Sequence, residues 1–429
     1  MESHEGFHPK RVLVLAAAVL AVVFVVAKIR RFLECRRFAR LHGCKPVVGV
    51  SNIDPFLGLD RMYSIIQSAR KHKALESGWG RHRLFKYTFT TKQMFNGGIY
   101  TSEPENIKTI LSLNFKHYGL GYRIEQFGPL LGKGIFDTDG DHWAMSRSLI
   151  RPNFTRDQVA DLASFETLIK DLFALIPRDG KTVVDLQSLF FRYTIDSATE
   201  FLFGQSVGSL RNTDSDIDFA EAFNHSQEAI TTRGRLGQLR KFYRDPRADD
   251  SDRICREFAQ QFVDEAVLAV QSEKDVNSSE TKPRKYIFSH ELARRTSDKR
   301  RILDELMNVL LAGRDTTASL LSNMFFMLAK HPDIWAKLRR EVAGLEGRLP
   351  TYEELRNLKY LKCCMNECEI FFSPFRARFQ FMTDFISTTV TSSSSVERTQ
   401  SAARYRSASR WRRRPPLASL CSKGHLSWI

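Results

Sequence analysis

Residues 298–331 read Asp-Lys-Arg-Arg-Ile-Leu-Asp-Glu-Leu-Met-Asn-Val-Leu-Leu-Ala-Gly-Arg-Asp-Thr-Thr-Ala-Ser-Leu-Leu-Ser-Asn-Met-Phe-Phe-Met-Leu-Ala-Lys-His. Leu303, Leu306, Met307, Leu310 and Leu311, then Leu320, Leu321, Met324, Phe325 and Leu328, recur at the spacing of one helix face. Ser297 or Asp298 can cap the start, and Pro332 marks the stop. At about 1.5 Å per residue this helix is long enough to cross a domain. Its middle breaks the apolar pattern with Ala312, Gly313, Arg314, Asp315, Thr316 and Thr317. A glycine inside a helix costs up to about 1 kcal/mol against alanine and needs a reason. Thr316 stands four residues after Ala312, so its hydroxyl can bond that carbonyl. Two readings stand on spacing alone. The small residues serve close packing, or they open a groove flanked by an acid and an alcohol that can pass protons.

The chain has 429 residues, 42% hydrophobic and 27% charged, enough for a substantial core. Most of its net charge of +16 lies in two places. Residues 28–40 hold six basic side chains against Glu34, and residues 368–429 hold ten basic against three acidic. The body between them keeps only about +4, whereas a nucleic-acid binder spreads a basic face over its fold. No nucleic acid is therefore expected. The seven cysteines form no C-x-x-C pair and no even framework, which suits a reducing compartment.

Residues 12–27 are an unbroken apolar run, which Ile29, Phe32 and Leu33 extend. The basic cluster behind it places the following chain in the cytosol. The expectation is a single-pass signal anchor in the endoplasmic reticulum bilayer, with a lumenal N-terminus. Pro46 and Pro55 stiffen a linker. Residues 84–90 alternate as a strand, with a second at 98–101, and Ser102 through Glu105 reads as a capping box opening a helix to Leu111. Gly132-Lys133-Gly134 is no phosphate loop, because neither Ser nor Thr follows the lysine. Further helices are expected over 141–147, from Thr155 (a second capping box), over 184–203, 218–230, 252–271 and 332–345, and after Thr351. A basic, turn-rich segment separates 218–230 from 252–271, and residues 274–285 read as a loop.

Trp143 and Arg147 are four apart on one helix face. An indole N–H and a guanidinium pointing the same way can grip carboxylates; alternatively the tryptophan fills the core and the arginine snorkels past it.

The hexad at 312–317 resembles the oxygen-activation motif A/G-G-x-D/E-T-T/S of the cytochrome P450 family. Trp143 and Arg147 match that family's W-x-x-x-R, with family-like flanks at 134–136 and 151–154. Residues 191–204 resemble the branch of fungal membrane-bound enzymes that hydroxylate n-alkanes and fatty acids at or near the chain end. The resemblance implies a mainly α fold with a small β portion and haem as the cofactor. Thr316 would hold dioxygen and an ordered water, and Asp315 would relay protons. Ala312 and Gly313 would leave room beside the haem, Trp143 and Arg147 would seat a propionate, and the helices at 218–230 and 252–271 would roof the substrate channel. It also implies electrons from NADPH through a cytochrome P450 reductase, and a long-chain fatty acid or alkane as substrate. The expected layout is 1–11 lumenal, 12–33 anchor with its basic flank, 34–58 linker, 59–367 partial P450 domain, and 368–429 tail.

Glu367 matches the glutamate of the family's E-x-x-R, but Ile370 replaces the arginine and is expected to leave that carboxylate unpaired. From Cys368 the likeness stops. The family's F-x-x-G-x-R-x-C-x-G supplies a thiolate to the iron, and the positions around Cys421 hold Arg414, Leu417, Ser419 and Lys423 instead. No axial cysteine is identifiable. The Ser- and Arg-rich tail reads as disordered by composition. A shifted reading frame or retained intron accounts most simply for so abrupt a change. The fold is therefore expected to be a P450 fold truncated after residue 367, inactive as the chain stands. The alternative function is a non-catalytic, membrane-anchored fragment.

Overall fold

The computed structural model describes residues 9–50, 52–54, 58–71, 73–93, 96–154, 162–211, 218–275 and 286–372. The chain divides into Met1–Val50 and Ser51–Ile429. The first unit carries helix α1 (Pro9–Leu41), which contains the long apolar run, and the short strand β1 (Val48–Gly49). Among the described residues, no helix is long and apolar enough to cross a membrane.

The second unit opens with α2 (Leu59–Arg70) and α3 (Ala74–Phe85), then an antiparallel hairpin of β2 (Thr88–Gln93) and β3 (Asn96–Thr101). Its register runs from Thr88 opposite Thr101 to Gln93 opposite Asn96. The strand expected at 84–90 is thus corrected: Leu84 and Phe85 end α3, and Lys86 turns the chain at φ +62°. Alternation over so short a run did not separate a helix end from a strand start. The first capping box is corrected too. The Ser102 hydroxyl donates to the Tyr87 carbonyl (2.9 Å) rather than capping α4 (Pro104–Lys108). Beyond α4 the chain passes into a π-helical turn, Thr109–Leu113. The second expected box, at 155–158, lies outside the described residues.

Next come α5 (Arg123–Leu131), α6 (Gly140–Ile150), α7 (Ala163–Ala174) and α8 (Leu186–Phe203). Two signals bound α8. The Asp185 carboxylate accepts from the Gln187 and Ser188 amides, and Gly204 takes φ +81° where a β-carbon would meet Ile287 at 2.7 Å. Then follow α9 (Asp218–Leu236) and α10 (Pro246–Asp275). Both exceed their expected spans. Much of the segment read as turns is the last turns of α9, a 3-10 turn (Gly237–Phe242) and a polar first turn of α10, which shows no apolar period.

The last elements are α11 (Phe288–Arg295), α12 (Lys299–Lys330), α13 (Pro332–Ala343), α14 (Tyr352–Asn357) and α15 (Lys359–Phe372). Asp298 caps α12 by accepting from the Arg301 amide, and Thr351 with Glu354 forms the expected capping box on α14.

The second unit is built around α12, which packs against α5, α8, α10, α11, α13 and α15. Its Ile302, Leu306, Met307 and Leu310 are fully buried among Leu130 and Leu131 (α5), Ile195 (α8), Phe223 (α9), Val263 (α10) and Leu292 (α11). Each such aliphatic side chain contributes about 1.5–3 kcal/mol through burial. The half that carries the motif is therefore held from five sides.

Candidate functional site

Along its middle, α12 changes character. Leu310 and Leu311 are buried, Ala312 is half-buried, and Gly313, Thr316 and Thr317 are exposed, while Arg314 and Ala318 return to the interior. Three small or hydroxylated residues thus share one open face, directly after the buried turns of the helix. The Thr316 hydroxyl donates to the Ala312 carbonyl at 2.7 Å, as the spacing suggested. The helix itself runs unbroken through this turn. A β-carbon on Gly313 would meet nothing closer than the Ala198 methyl at 3.9 Å, so this glycine lies beside α8 without crowding.

Asp315 faces away from the exposed threonines, toward α9. Its Oδ2 accepts from Gln227 Nε2 at 2.6 Å and its Oδ1 from Arg314 Nη1 at 3.0 Å. Arg314, only 2% exposed, also donates from Nη2 to Asn224 Oδ1 at 2.6 Å. Its guanidinium lies 5.0 Å from the Phe191 ring and 5.4 Å from the Phe223 ring, within cation–π range. Burial pushes the Asp315 carboxyl up, against the opposing pull of Arg314 and Gln227. Arg314 is shifted down, by burial first. Sequence reading named Asp315 but missed its holders. Arg314 occupies the unspecified position of the hexad, and Asn224 and Gln227 come from a different helix.

The second group sits on α6. The Arg147 guanidinium lies 5.6 Å from the Trp143 ring, which in turn packs 5.0 Å from Phe115. Trp143 is half-buried and Arg147 exposed. Among the described residues the Arg147 side chain has no hydrogen-bond or ion-pair partner, so its donors are available to an outside anion.

Glu367 lies half-buried on α15 and is not left without a partner. The expectation of an unpaired carboxylate is corrected: the substitution at Ile370 removes one partner type, not every interaction. The cysteines of the second unit that are described, Cys255, Cys363, Cys364 and Cys368, are all buried. Burial pushes the Cys255 thiol to about 12 and those of Cys364 and Cys368 to about 11, so these three are protonated near neutrality. Cys421 lies outside the described residues.

A profile of the cytochrome P450 family matches residues 56–368. This chain belongs to the cytochrome P450 family. The match ends where the likeness stopped in the sequence. Cytochrome P450 monooxygenase himC of Aspergillus japonicus is 46% identical over 364 residues, 82% of this chain and 65% of that protein. Cytochrome P450 monooxygenase fsdH of Fusarium heterosporum is 41% identical over 85% of this chain and 66% of its own length. Cytochrome P450 52A9 of Candida maltosa is 37% identical, covering 82% and 70%. The chain thus spans just under two thirds of the first two relatives. The crystal structure of the cytochrome P450DA heme domain superposes with a TM-score of 0.60 at 15% identity, over 76% of this chain and 70% of that one. That likeness establishes the mainly helical P450 fold.

Membership in this family implies haem as the cofactor. The free guanidinium beside Trp143 and the open face at Gly313, Thr316 and Thr317 fit a propionate and the distal side of such a group. Among the described residues, no cysteine stands in the F-x-x-G-x-R-x-C-x-G pattern that supplies the axial thiolate.

Proposed function

We propose that this P450 chain provides the propionate seat, distal wall and substrate roof of a monooxygenase that hydroxylates long-chain fatty acids or n-alkanes at or near the chain end. The observation that carries the reading is the open face of Gly313, Thr316 and Thr317, next to the buried stretch Ile302–Asn308 and Leu310–Leu311 of the same helix, with the half-buried Asp315 beside it. The substrate class rests on the resemblance at residues 191–204 and on the fungal relatives. Haem, when bound, supplies the oxygen activation. Arg147 and Trp143 hold a propionate through the guanidinium and indole N–H donors. The Thr316 hydroxyl, whose proton points to the Ala312 carbonyl, keeps its oxygen lone pairs for a water on the exposed face. Asp315, shifted up by burial, can carry a proton closer to neutrality than an exposed carboxyl. It must leave Gln227 to deliver that proton toward Thr316.

Electrons come, in this reading, from NADPH through a membrane-bound reductase, with the apolar stretch of α1 attaching the chain to the endoplasmic reticulum and the body on the cytosolic side. Support for the anchor is local to α1. Val22, Val23, Phe24, Val25 and Val26 are successive residues and all more than half exposed, so every helix face there is apolar and uncovered. A second reading, a non-catalytic anchored protein, is favoured by the lack of a suitable cysteine among the described residues.

The activity is tested by joining this chain to a family C-terminal segment that carries the cysteine loop. The joined enzyme should hydroxylate long-chain fatty acids, and Thr316→Ala should divert NADPH into peroxide. Unchanged product per NADPH in that variant would reduce Thr316 to a packing role.

A further inference from the structure

The loop that leads into α6 has no strand or helix to satisfy its backbone, and α12 does that work with side chains. The Lys133 amide donates to Asp304 Oδ2 at 2.9 Å, Ile135 to Glu305 Oε2 at 3.2 Å, and Phe136 to Asn308 Oδ1 at 3.0 Å. Asn308 Nδ2 returns a bond to the Leu131 carbonyl at 3.2 Å, and Gly134 donates to Asp137 Oδ1 at 2.8 Å. The approach leaves no space. A β-carbon at Gly132 would fall 1.8 Å from Asp304 Oδ1, and one at Gly134 2.1 Å from Asn308 Nδ2.

Two arginines complete the arrangement. Arg256 of α10 donates to Asp304 Oδ1 at 2.7 Å and to the Leu130 carbonyl at 3.2 Å. Arg301 of α12 donates to the His142 carbonyl at 3.2 Å and to Ser146 Oγ at 3.0 Å, next to Trp143 and Arg147 in sequence. Asp304, Glu305 and Asn308 are themselves at most 3% exposed. Buried polar groups are costly unless satisfied; beside the Asn308 bond to the Asp304 carbonyl at 2.7 Å and the Arg301–Glu305 ion pair at 3.9 Å, these side chains are directed at one loop.

We infer that Arg301, Asp304 and Asn308 are positioning residues: they clasp Gly132–Phe136 and the start of α6 to α12, so that the propionate-holding pair and the Thr316 face move as one body. Asn308 precedes Thr316 by eight residues, about 12 Å along a helix. The anion seat on α6, clasped to α12, and the proton-passing face on α12 itself thereby keep their spacing, and Arg256 ties α10 into the same clasp. The inference rests on the reading of Trp143 and Arg147 as a propionate seat. The signal in the sequence is the polar set Arg301, Asp304, Glu305 and Asn308 among apolar residues, opposite a Gly-x-Gly loop.

The test is a haemin titration of the purified 429-residue chain, followed by absorbance, with amide hydrogen exchange on the same protein. Asn308→Leu should weaken haemin binding about tenfold, the lower end of the loss when an outer-shell partner is removed. Helix content should stay at the parent level, while the amides of Lys133, Ile135 and Phe136 lose protection. Gly134→Ala, which presses on the clasp from the loop side, should do the same and decides the matter if Asn308→Leu does not fold. Ser322→Ala, a buried hydroxyl further along α12, should change nothing. In the parent, those three loop amides should be protected before haemin is added. Parent-like affinity in both clasp variants, an equal loss in Ser322→Ala, or free exchange of the loop amides until haemin binds would overturn the clasp. Arg147→Ala separates the two claims: if it leaves haemin affinity unchanged, or the parent binds no haemin, the propionate seat is what falls, and the exchange data still judge the clasp.

Discussion

Replacing Arg314 with methionine probes the centre of the site, and the structure sets the magnitude. The guanidinium is 2% exposed, donates to Asp315 Oδ1, Gln227 Oε1 and Asn224 Oδ1, and lies against two phenylalanine rings. Methionine restores much of the volume but no donor. Asp315 keeps only the Gln227 bond and becomes a half-buried carboxylate without its cation. Breaking a buried pair from one side typically costs about 3–5 kcal/mol. The lost cation–π contacts add about 0.5–2 kcal/mol, offset in part by no longer burying a guanidinium. We therefore expect about 3–5 kcal/mol, a large share of the roughly 5–15 kcal/mol that holds a domain together. Urea unfolding of Arg314→Met, Asp315→Asn and the double variant measures it as a cycle. The pair should be coupled by at least about 1 kcal/mol, with the double variant less damaged than the sum of the singles. A cost under about 1 kcal/mol for Arg314→Met, or additivity within about 0.3 kcal/mol, would show that Arg314 and Asp315 are not a coupled pair.

Two further outcomes follow from named positions. Burial, with repulsion from Asp304 and Glu305, pushes the Asp137 carboxyl from 3.8 to about 7 against the pull of the Gly134 amide and Arg123. Since the folded value exceeds the unfolded one, the protonated form contributes stability below about pH 4 that is lost as pH rises through about 7, about 4 kcal/mol in all. Asp137→Asn should accordingly flatten the urea midpoint between about pH 4 and about pH 7; an unchanged pH dependence would contradict this. Topology is tested by Gly180→Asn, which completes an acceptor sequence with Lys181 and Thr182 on an exposed turn. Of the natural sequons, Asn153 is buried and bonded to Leu149 and Tyr286, and Asn224 is engaged by Arg314. With the body in the cytosol the new site should carry no glycan, and an endoglycosidase-sensitive mass shift would overturn the anchor reading.

The course of α12 was legible in the sequence because Asp298, the apolar period and Pro332 all agree with the final packing. So were the span of α8, expected over 184–203 and found at Leu186–Phe203, and the Thr316 bond to Ala312, which spacing alone dictates. The hexad and the Trp143–Arg147 pair pointed to the P450 family, which the match over residues 56–368 shows. What stayed hidden depended on partners distant in sequence. Gln227 lies 88 residues from Asp315 and Asp304 lies 171 from Lys133, separations that no local pattern encodes. The polar first turn of α10 gave no period to read. The helix–strand boundary at Lys86 depended on one residue with positive φ, and lysine is not a residue that signals it.

In the proposed reading the chain holds the distal and propionate sides of a haem site, and none of its cysteines stands in the loop pattern that supplies the family's thiolate. The reduced, carbon-monoxide-bound absorption spectrum of the purified 429-residue chain, with its mass confirmed, tests this most directly. No far-red-shifted Soret band is expected from this chain, and the band should appear once a family cysteine loop is joined on. That band from the chain alone, lost on Cys421→Ala, would contradict it.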